Sequence, residues 1–286
     1  MATMAGGSLK FTTSMLFAVG FIAMFTIGGL SGVTHSVVPH DAQQQDTYYI
    51  VAHFHYVLFG GSVFALFGGL YYWFPKITGR MMNERLGKIH FWMMMLGFNA
   101  TFGPMHILGL KGMPRRYYTY QEGLGWEMWN LLATVGAFTI AASTLVFMTN
   151  WVKSKRHGEM ASADPWDGRT LEWTIPSPPP DYNFREVPLI TDVDDFWHRK
   201  YQEDRKGRPV PVPVGGAEVT EHAADDPPHI PMPSPSIYPL VAAFGMPVMG
   251  YAVILGSWTV FVLGVVICLA GFYGWILEPA TAPEQG

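Results

Sequence analysis

The chain has 286 residues, 49% of them hydrophobic and only 14% charged, against about 25% charged in a typical soluble domain. A net charge of −4 with no basic patch argues against a nucleic-acid partner, and the single cysteine, Cys268, excludes a disulfide framework or a cysteine-held metal. The charges are also unevenly spread. Of the 18 Lys/Arg and 22 Asp/Glu, 10 and 15 respectively lie between Lys153 and Asp226, which leaves the rest apolar enough for lipid.

Crossing a bilayer takes about 20 mostly apolar residues. In chain order, such stretches are predicted from Thr13 to Val33, from Thr47 to Phe74 just before Pro75, from Ile89 to Leu110 with a bend at Pro104, and from Met128 to Trp151. A polar segment, residues 154–235, follows. Its proline runs, Pro176 to Pro180 and Pro209 to Pro213, predict extended or irregular chain. The apolar stretch from Tyr238 to Leu277 is about twice one span and reads as a helical hairpin turning near Gly256-Ser257. The expected class is therefore an all-α integral membrane protein of about six transmembrane helices. Its parts are helices in 1–153, a polar segment in 154–235, a hairpin in 236–279 and a tail in 280–286. Lys76, Arg80, Arg85 and Lys88 after the second span, and Lys153, Lys155 and Arg156 after the fourth, assign those two loops to the cytoplasm. Lys111, Arg115 and Arg116 lie on the opposite side and break that rule, so they are expected to neutralise something there.

The second span carries His53 and His55. Residues on a helix advance about 100° each, so these rings point about 200° apart, to opposite faces. They cannot easily share one metal but can serve two. An ionisable residue within a span is costly and is a functional candidate by default, and a planar haem between helices takes a neutral imidazole axially. Haems carry carboxylates, and adjacent arginines bind carboxylates through planar forks. Arg115 and Arg116, stiffened by Pro114, match that need.

Three stretches carry a family resemblance: Asp46 to Tyr56 (DTYYIVAHFHY), Phe102 to His106 leading to Gly112 to Tyr117 (GMPRRY), and Thr170 to Phe184 (TLEWTIPSPPPDYNF). Residues 1–185 resemble subunit I of haem–copper terminal oxidases of the cytochrome c oxidase type, with a bacterial-type C-terminal extension. The resemblance implies two haems of the A type and copper. His53 would be the catalytic axial ligand of the high-spin haem, and His55 an axial ligand of the low-spin haem. Arg115 and Arg116 would hold haem propionates, with Asp41 beside one of them. Asp46 matches a magnesium-ligand position, although Gln45 stands where the family commonly has histidine; His40 could take a polar role nearby. His106 is structural or part of the propionate network, and His90, His157, His198, His222 and His229 make no copper site. The three copper histidines, the second low-spin ligand and the lysine of one proton pathway are expected upstream of Met1, which makes this the C-terminal half of subunit I and inactive alone. The implied activity is reduction of oxygen to water with electrons from cytochrome c, coupled to proton pumping. The implied partners are subunits II and III and membrane lipid, and the implied location is a bacterial plasma membrane. A quinol-fed oxidase, a dihaem electron-transfer cytochrome and a transporter with buried histidines are the alternatives. The cytochrome would need four axial histidines within the spans, and the transporter leaves the arginine pair unexplained.

Overall fold

The structure is a computed structural model that describes residues 1–184, 187–205, 208–212 and 235–279. Pro213, His222, His229 and the tail 280–286 lie outside the described residues. The chain divides into two compact units, residues 1–179 with 190–212, and residues 180–189 with 213–286.

In the first unit, helix α1 (Thr13–His35) is capped by the Thr12 hydroxyl, which accepts from the Met15 N–H. A short helix α2 (Val38–Gln44) follows, with Pro39 in its first turn, where its missing N–H has no helical partner to lose. Thr47 caps α3 (Tyr48–Leu58) by accepting the Tyr49 N–H at 3.2 Å. A π-helical turn, Phe59–Val63, joins α3 to α4 (Phe64–Thr78), so that one span runs from Tyr48 to Thr78. Here the structure departs from the sequence expectation, which ended the span before Pro75. The proline sits in the last turn instead. It forgoes one hydrogen bond there, and Gly79 (φ +71°) closes the helix by donating to the Pro75 carbonyl. Asn83 caps α5 (Glu84–Leu110), which continues through Pro104, and α6 (Glu127–His157) returns beside it.

Among the described residues, five helices are long and apolar enough to cross a membrane: Thr13–His35, Tyr48–Thr78, Glu127–His157, Tyr238–Leu255 and Trp258–Leu277. α5 falls short on hydropathy, with His90, Asn99, Pro104 and His106 along its stretch 89–110, which carries no Asp, Glu, Lys or Arg. It packs against α1, α3 and α6, and a helix surrounded by protein needs less lipid-compatible surface. At about 1.5 Å per residue its length is still ample for the bilayer, so about six spans stand.

Burial from lipid supplies little hydrophobic driving force, so packing and hydrogen bonds must hold such helices together. The core is aromatic: Phe17, Phe64, Phe74 and Phe98 are wholly buried. Between α5 and α6 the helices nearly touch, because a Cβ on Gly136 would lie 2.5 Å from the Thr101 nitrogen. His90 is buried in this core, its Nδ1 hydrogen-bonded with the Tyr71 hydroxyl at 3.2 Å and its ring edge-on to Phe67. At one end of the bundle Arg80 donates to the Gly158 carbonyl at 2.7 Å. At the other, Thr47 and Pro114 form a β-bridge. The loops that follow the second and fourth spans therefore share one end.

Where the polar segment is described, its proline runs are irregular (residues 176–180) or extended (Pro209–Pro211), as expected, and short ordered elements punctuate the rest. A 3₁₀ turn (Leu171–Thr174) buries Trp173 against Tyr72. Helix α7 (Asp195–Lys200) leads into β1 (Tyr201–Glu203), paired antiparallel with β2 (Pro209–Pro211). Lys200 ties the segment together, donating to Asp164 at 2.9 Å, Asp167 at 2.8 Å and the Gly168 carbonyl. Buried Lys76 donates to the Ile175 and Pro176 carbonyls. Charge thus organises chain that lacks an apolar core, which composition alone does not reveal.

The second unit is the hairpin of α8 (Tyr238–Leu255) and α9 (Trp258–Leu277), turning at Gly256 (φ +62°). Its helices approach closely: a Cβ on Gly271 would lie 2.4 Å from the Ala242 nitrogen, and the Cys268 thiol donates to the Ala242 carbonyl at 3.1 Å. Cys268 is a packing residue.

Burial alone would raise the Asp167 carboxyl, but hydrogen bonds from Lys200 and Tyr201 outweigh it and hold it below the usual range. Burial alone would lower Lys200, but Asp167 and Asp164 outweigh it and hold it above its usual value. A depressed carboxyl stabilises the fold above its unfolded value, and that stabilisation is lost as pH falls through the folded value. A raised lysine stabilises below its unfolded value and loses the effect as pH rises through the folded one. Protease cleavage of the 190–212 stretch in isolated membranes should therefore be slow near neutrality and rise as pH is lowered through the Asp167 value. Lys200→Met should be cleaved quickly at every pH. Cleavage of the unaltered chain that ignores pH would contradict this account.

Candidate functional site

The site is built where α3 crosses α1 and α5. On α1, Gly28, Ser31, Gly32 and His35 follow the i, i+3, i+4, i+7 spacing of a single helical face. Side chains would keep the helices apart here: a Cβ on Gly28 would lie 2.9 Å from the Tyr56 carbonyl carbon and the Val57 Cγ2, and one on Gly32 would lie 3.0 Å from the His53 Cε1. The close approach brings the His53 Nδ1 to 2.9 Å from the Gly28 carbonyl and 2.9 Å from the Ser31 Oγ.

His55 turns the other way, toward α5. Its ring stacks on Phe102, with centroids 4.1 Å apart and planes 13° apart, and its Nδ1 lies 2.7 Å from the Val51 carbonyl. A carbonyl only accepts, so Nδ1 carries the proton in both rings and Nε2 presents a lone pair. No hydrogen bond to either Nε2 is made among the described residues. This tautomer is the one an axial haem ligand requires, with its second nitrogen oriented by a carbonyl. The two histidines therefore fit two haems, one on each side of α3.

The outer end of the site is polar and only partly satisfied. His35 lies edge-on to His53, 5.0 Å between centroids, and its Nδ1 is 3.6 Å from Asp41. Both ring nitrogens of His35, the Nε2 of His40 and both amide atoms of Gln44 are buried without a hydrogen-bond partner among the described residues. Buried polar atoms are rarely left unpaired, so this concentration within residues 35–44 fits the polar edge of a bound group. Tyr49 sits in its midst, with His35 and His106 on it at 5.4 and 4.9 Å and His40 at 6.3 Å. His106 also packs on Tyr56, and its Nδ1 lies 3.3 Å from the Gly103 carbonyl.

The arginine pair is held beside the start of α3. The Tyr48 N–H donates to the Met113 carbonyl at 2.9 Å, and the Arg115 N–H to the Asp46 carbonyl at 2.8 Å. The Arg115 side chain grips the Asp46 carboxylate, with Nε at 2.6 Å and a second contact through Nη2. Asp46 and Arg116 both have left-handed backbone, φ +59° and +69°, a conformation costing a non-glycine residue about 1–2 kcal/mol. Asp46 and Arg115, assigned separate ligands from the sequence, thus bind each other. No group of three or more His, Cys, Asp or Glu among the described residues could hold a metal ion, and the Asp46 carboxylate is paired with Arg115. Arg116 is exposed.

Ser31, His35 and Gln44 were not singled out from the sequence. The signal was the small-residue face Gly28-Ser31-Gly32, which could have located the wall that His53 meets.

The fold is that of a multi-pass membrane protein whose second span turns two imidazoles, His53 and His55, toward different neighbouring helices. Residues 1–139 match the family described as "Cytochrome C and Quinol oxidase polypeptide I". The chain is 49% identical over 245 residues to "Cytochrome c oxidase subunit 1" of Bacillus sp. (strain PS3), covering 85% of this chain and 38% of that protein. It is 43% identical over 258 residues to the protein of that name from Bacillus subtilis (strain 168), covering 90% and 39%. To the one from Thermostichus vulcanus it is 52% identical over 191 residues, covering 67% and 34%. The chain belongs to the cytochrome c and quinol oxidase polypeptide I family and corresponds to a partial segment of such a subunit, spanning 34–39% of these relatives' length. Membership and the apolar helices give the chain a multi-pass position in a bacterial membrane.

The α1–α3 contact yields a direct test. Gly32→Ala places a methyl against the His53 ring, and overpacking of this kind costs about 1–3 kcal/mol. In the assembled oxidase, the carbon monoxide difference spectrum of the His53 haem should be lost or strongly reduced, while the His55 haem absorbance is retained. An unchanged carbon monoxide spectrum would contradict the placement of His53.

Proposed function

We propose that this chain supplies the haem-holding part of a terminal oxidase that reduces oxygen to water with electrons from cytochrome c and couples the reaction to proton pumping. The observation that carries this reading is the i, i+2 pair His53 and His55, each with Nδ1 on a backbone carbonyl and Nε2 free, facing opposite neighbours. When bound, haem iron supplies electron transfer at one ring and oxygen binding at the other.

The chain's own residues hold and orient. His53 would hold the haem on the oxygen-reducing side, and it is the one residue here that would touch the reacting centre. His55, stacked on Phe102, would hold the low-spin, electron-carrying haem. Arg115, Arg116 and Asp41 take the propionates, with Arg115 shared with Asp46. His35 and His40 offer further donors at that edge. The copper ligands and the second low-spin ligand belong to the rest of the whole subunit, and this segment alone is inactive. Haem of the A type, subunits II and III as neighbours, and lipid around the spans complete the proposal. The polar segment 154–235 faces the cytoplasm, and the hairpin 236–279 lies in the membrane. Cytochrome c is favoured over quinol as donor by the names of the relatives.

In the complete oxidase, His55→Ala should abolish the low-spin haem band, and His53→Ala should abolish carbon monoxide binding while sparing that band. Oxygen consumption should fall at least 100-fold in both. Equal loss of both haem signals from either variant, with the protein still assembled, would refute the two-sided assignment. Oxygen uptake driven by quinol but not by reduced cytochrome c would overturn the choice of donor.

A further inference from the structure

We propose that Ser31 is a positioning residue that fixes the His53 imidazole and sets its donor strength toward iron. The inference rests on the reading of His53 as an axial haem ligand. Three polar atoms meet at the α1–α3 crossing: the Gly28 carbonyl oxygen, the Ser31 Oγ and the His53 Nδ1. The Ser31 hydroxyl lies 2.8 Å from the Gly28 oxygen, and Nδ1 lies 2.9 Å from each of those two atoms.

The direction of every hydrogen bond follows. The Gly28 oxygen can only accept, so Nδ1 bears the proton. The Ser31 oxygen, facing a protonated nitrogen, must accept from it. Its own hydrogen is then left for the Gly28 oxygen. The result is a closed triangle in which one N–H is shared between two acceptors.

Most hydroxyls on these helices do less. Thr26, Thr134, Thr139 and Thr149 each donate to the carbonyl four residues back on their own helix. Ser31 makes the same kind of bond to its own helix and in addition reaches an imidazole on another. It is also 7% exposed, so water does not compete for its oxygen. Burial in a low-dielectric setting strengthens such a contact.

Two consequences follow for the ring. A second acceptor on Nδ1–H draws the proton away from the ring and makes the Nε2 lone pair a better donor, the usual effect of an outer partner on a ligating histidine. Two acceptors on different atoms also restrict rotation about the Cβ–Cγ bond more than one does. Gly32, on the same helix as Ser31, leaves room for the Cε1 edge, where a Cβ would lie 3.0 Å from it.

The test is the iron–histidine stretching band of the reduced high-spin haem, read by resonance Raman in the complete oxidase. Ser31→Ala should move the band to lower frequency and broaden it, because one acceptor is lost and the ring is freed. Ser31→Thr keeps the hydroxyl and should restore the original position. The bands of the low-spin haem at His55 should stay in place in both, which shows that the fold is intact. A Ser31→Ala band identical to that of the unaltered enzyme would overturn the inference while leaving the His53 assignment standing. A band that survives His53→Ala would overturn the assignment, and the inference with it.

Discussion

The close approach of α1 to α3 governs everything else in the site. Gly28 and Gly32 leave no side chain between the two helices, so a backbone carbonyl of one reaches an imidazole of the other. Within a span, an unpaired Nδ1–H would cost several kcal/mol, of the order of 2–7 for a polar group moved from water into an apolar setting. The Gly28 carbonyl removes that cost and in the same act selects the tautomer. Function depends on the tautomer, because only then does Nε2 point outward with its lone pair.

Once His53 is turned toward α1, helical geometry turns His55 toward α5, where Phe102 stacks on it and Val51 takes its Nδ1 proton. One helix thereby presents two similar rings to two different environments. The π-helical turn at Phe59–Val63 begins four residues after His55, with Gly60 set against Met24 of α1. Such turns are frequent near functional sites. Here it shifts the helical phase between the histidine-bearing half of the span and the aromatic half that forms the core. At the outer end, the Asp46–Arg115 pair and the Thr47–Pro114 bridge tie the arginine loop to the start of the same helix. The residues proposed for iron and for propionates are therefore fixed to one element.

The spans were legible because a bilayer demands a length and a composition that few other segments satisfy. The hairpin was legible for the same reason. The two-sided character of His53 and His55 follows from helical periodicity alone. What each ring touches does not: the carbonyl of Gly28 is 25 residues away in sequence, and only the packing of small residues brings it near. Pro75 inside a helix, the π turn and α2 also depended on tertiary context that overrides local preference. The short elements and contacts within the polar segment are illegible in the sequence for a related reason. Its order comes from Lys200 drawing together Asp164, Asp167 and the Gly168 carbonyl across more than thirty residues, and proline-rich composition gives no hint of that convergence. Asp46 and Arg115 were assigned separately because a motif names residues without saying which of them will pair.

Two independent haem ligands on opposite faces of α3 would place two irons beside one helix, and an iron-edge anomalous diffraction map of the complete oxidase would locate them. Two iron peaks should flank Tyr48–Leu58, one on the α1 side next to the His53 Nε2 and one on the α5 side next to the His55 Nε2. A single iron between the two rings, or iron bound through Nδ1 of either histidine, would contradict that arrangement.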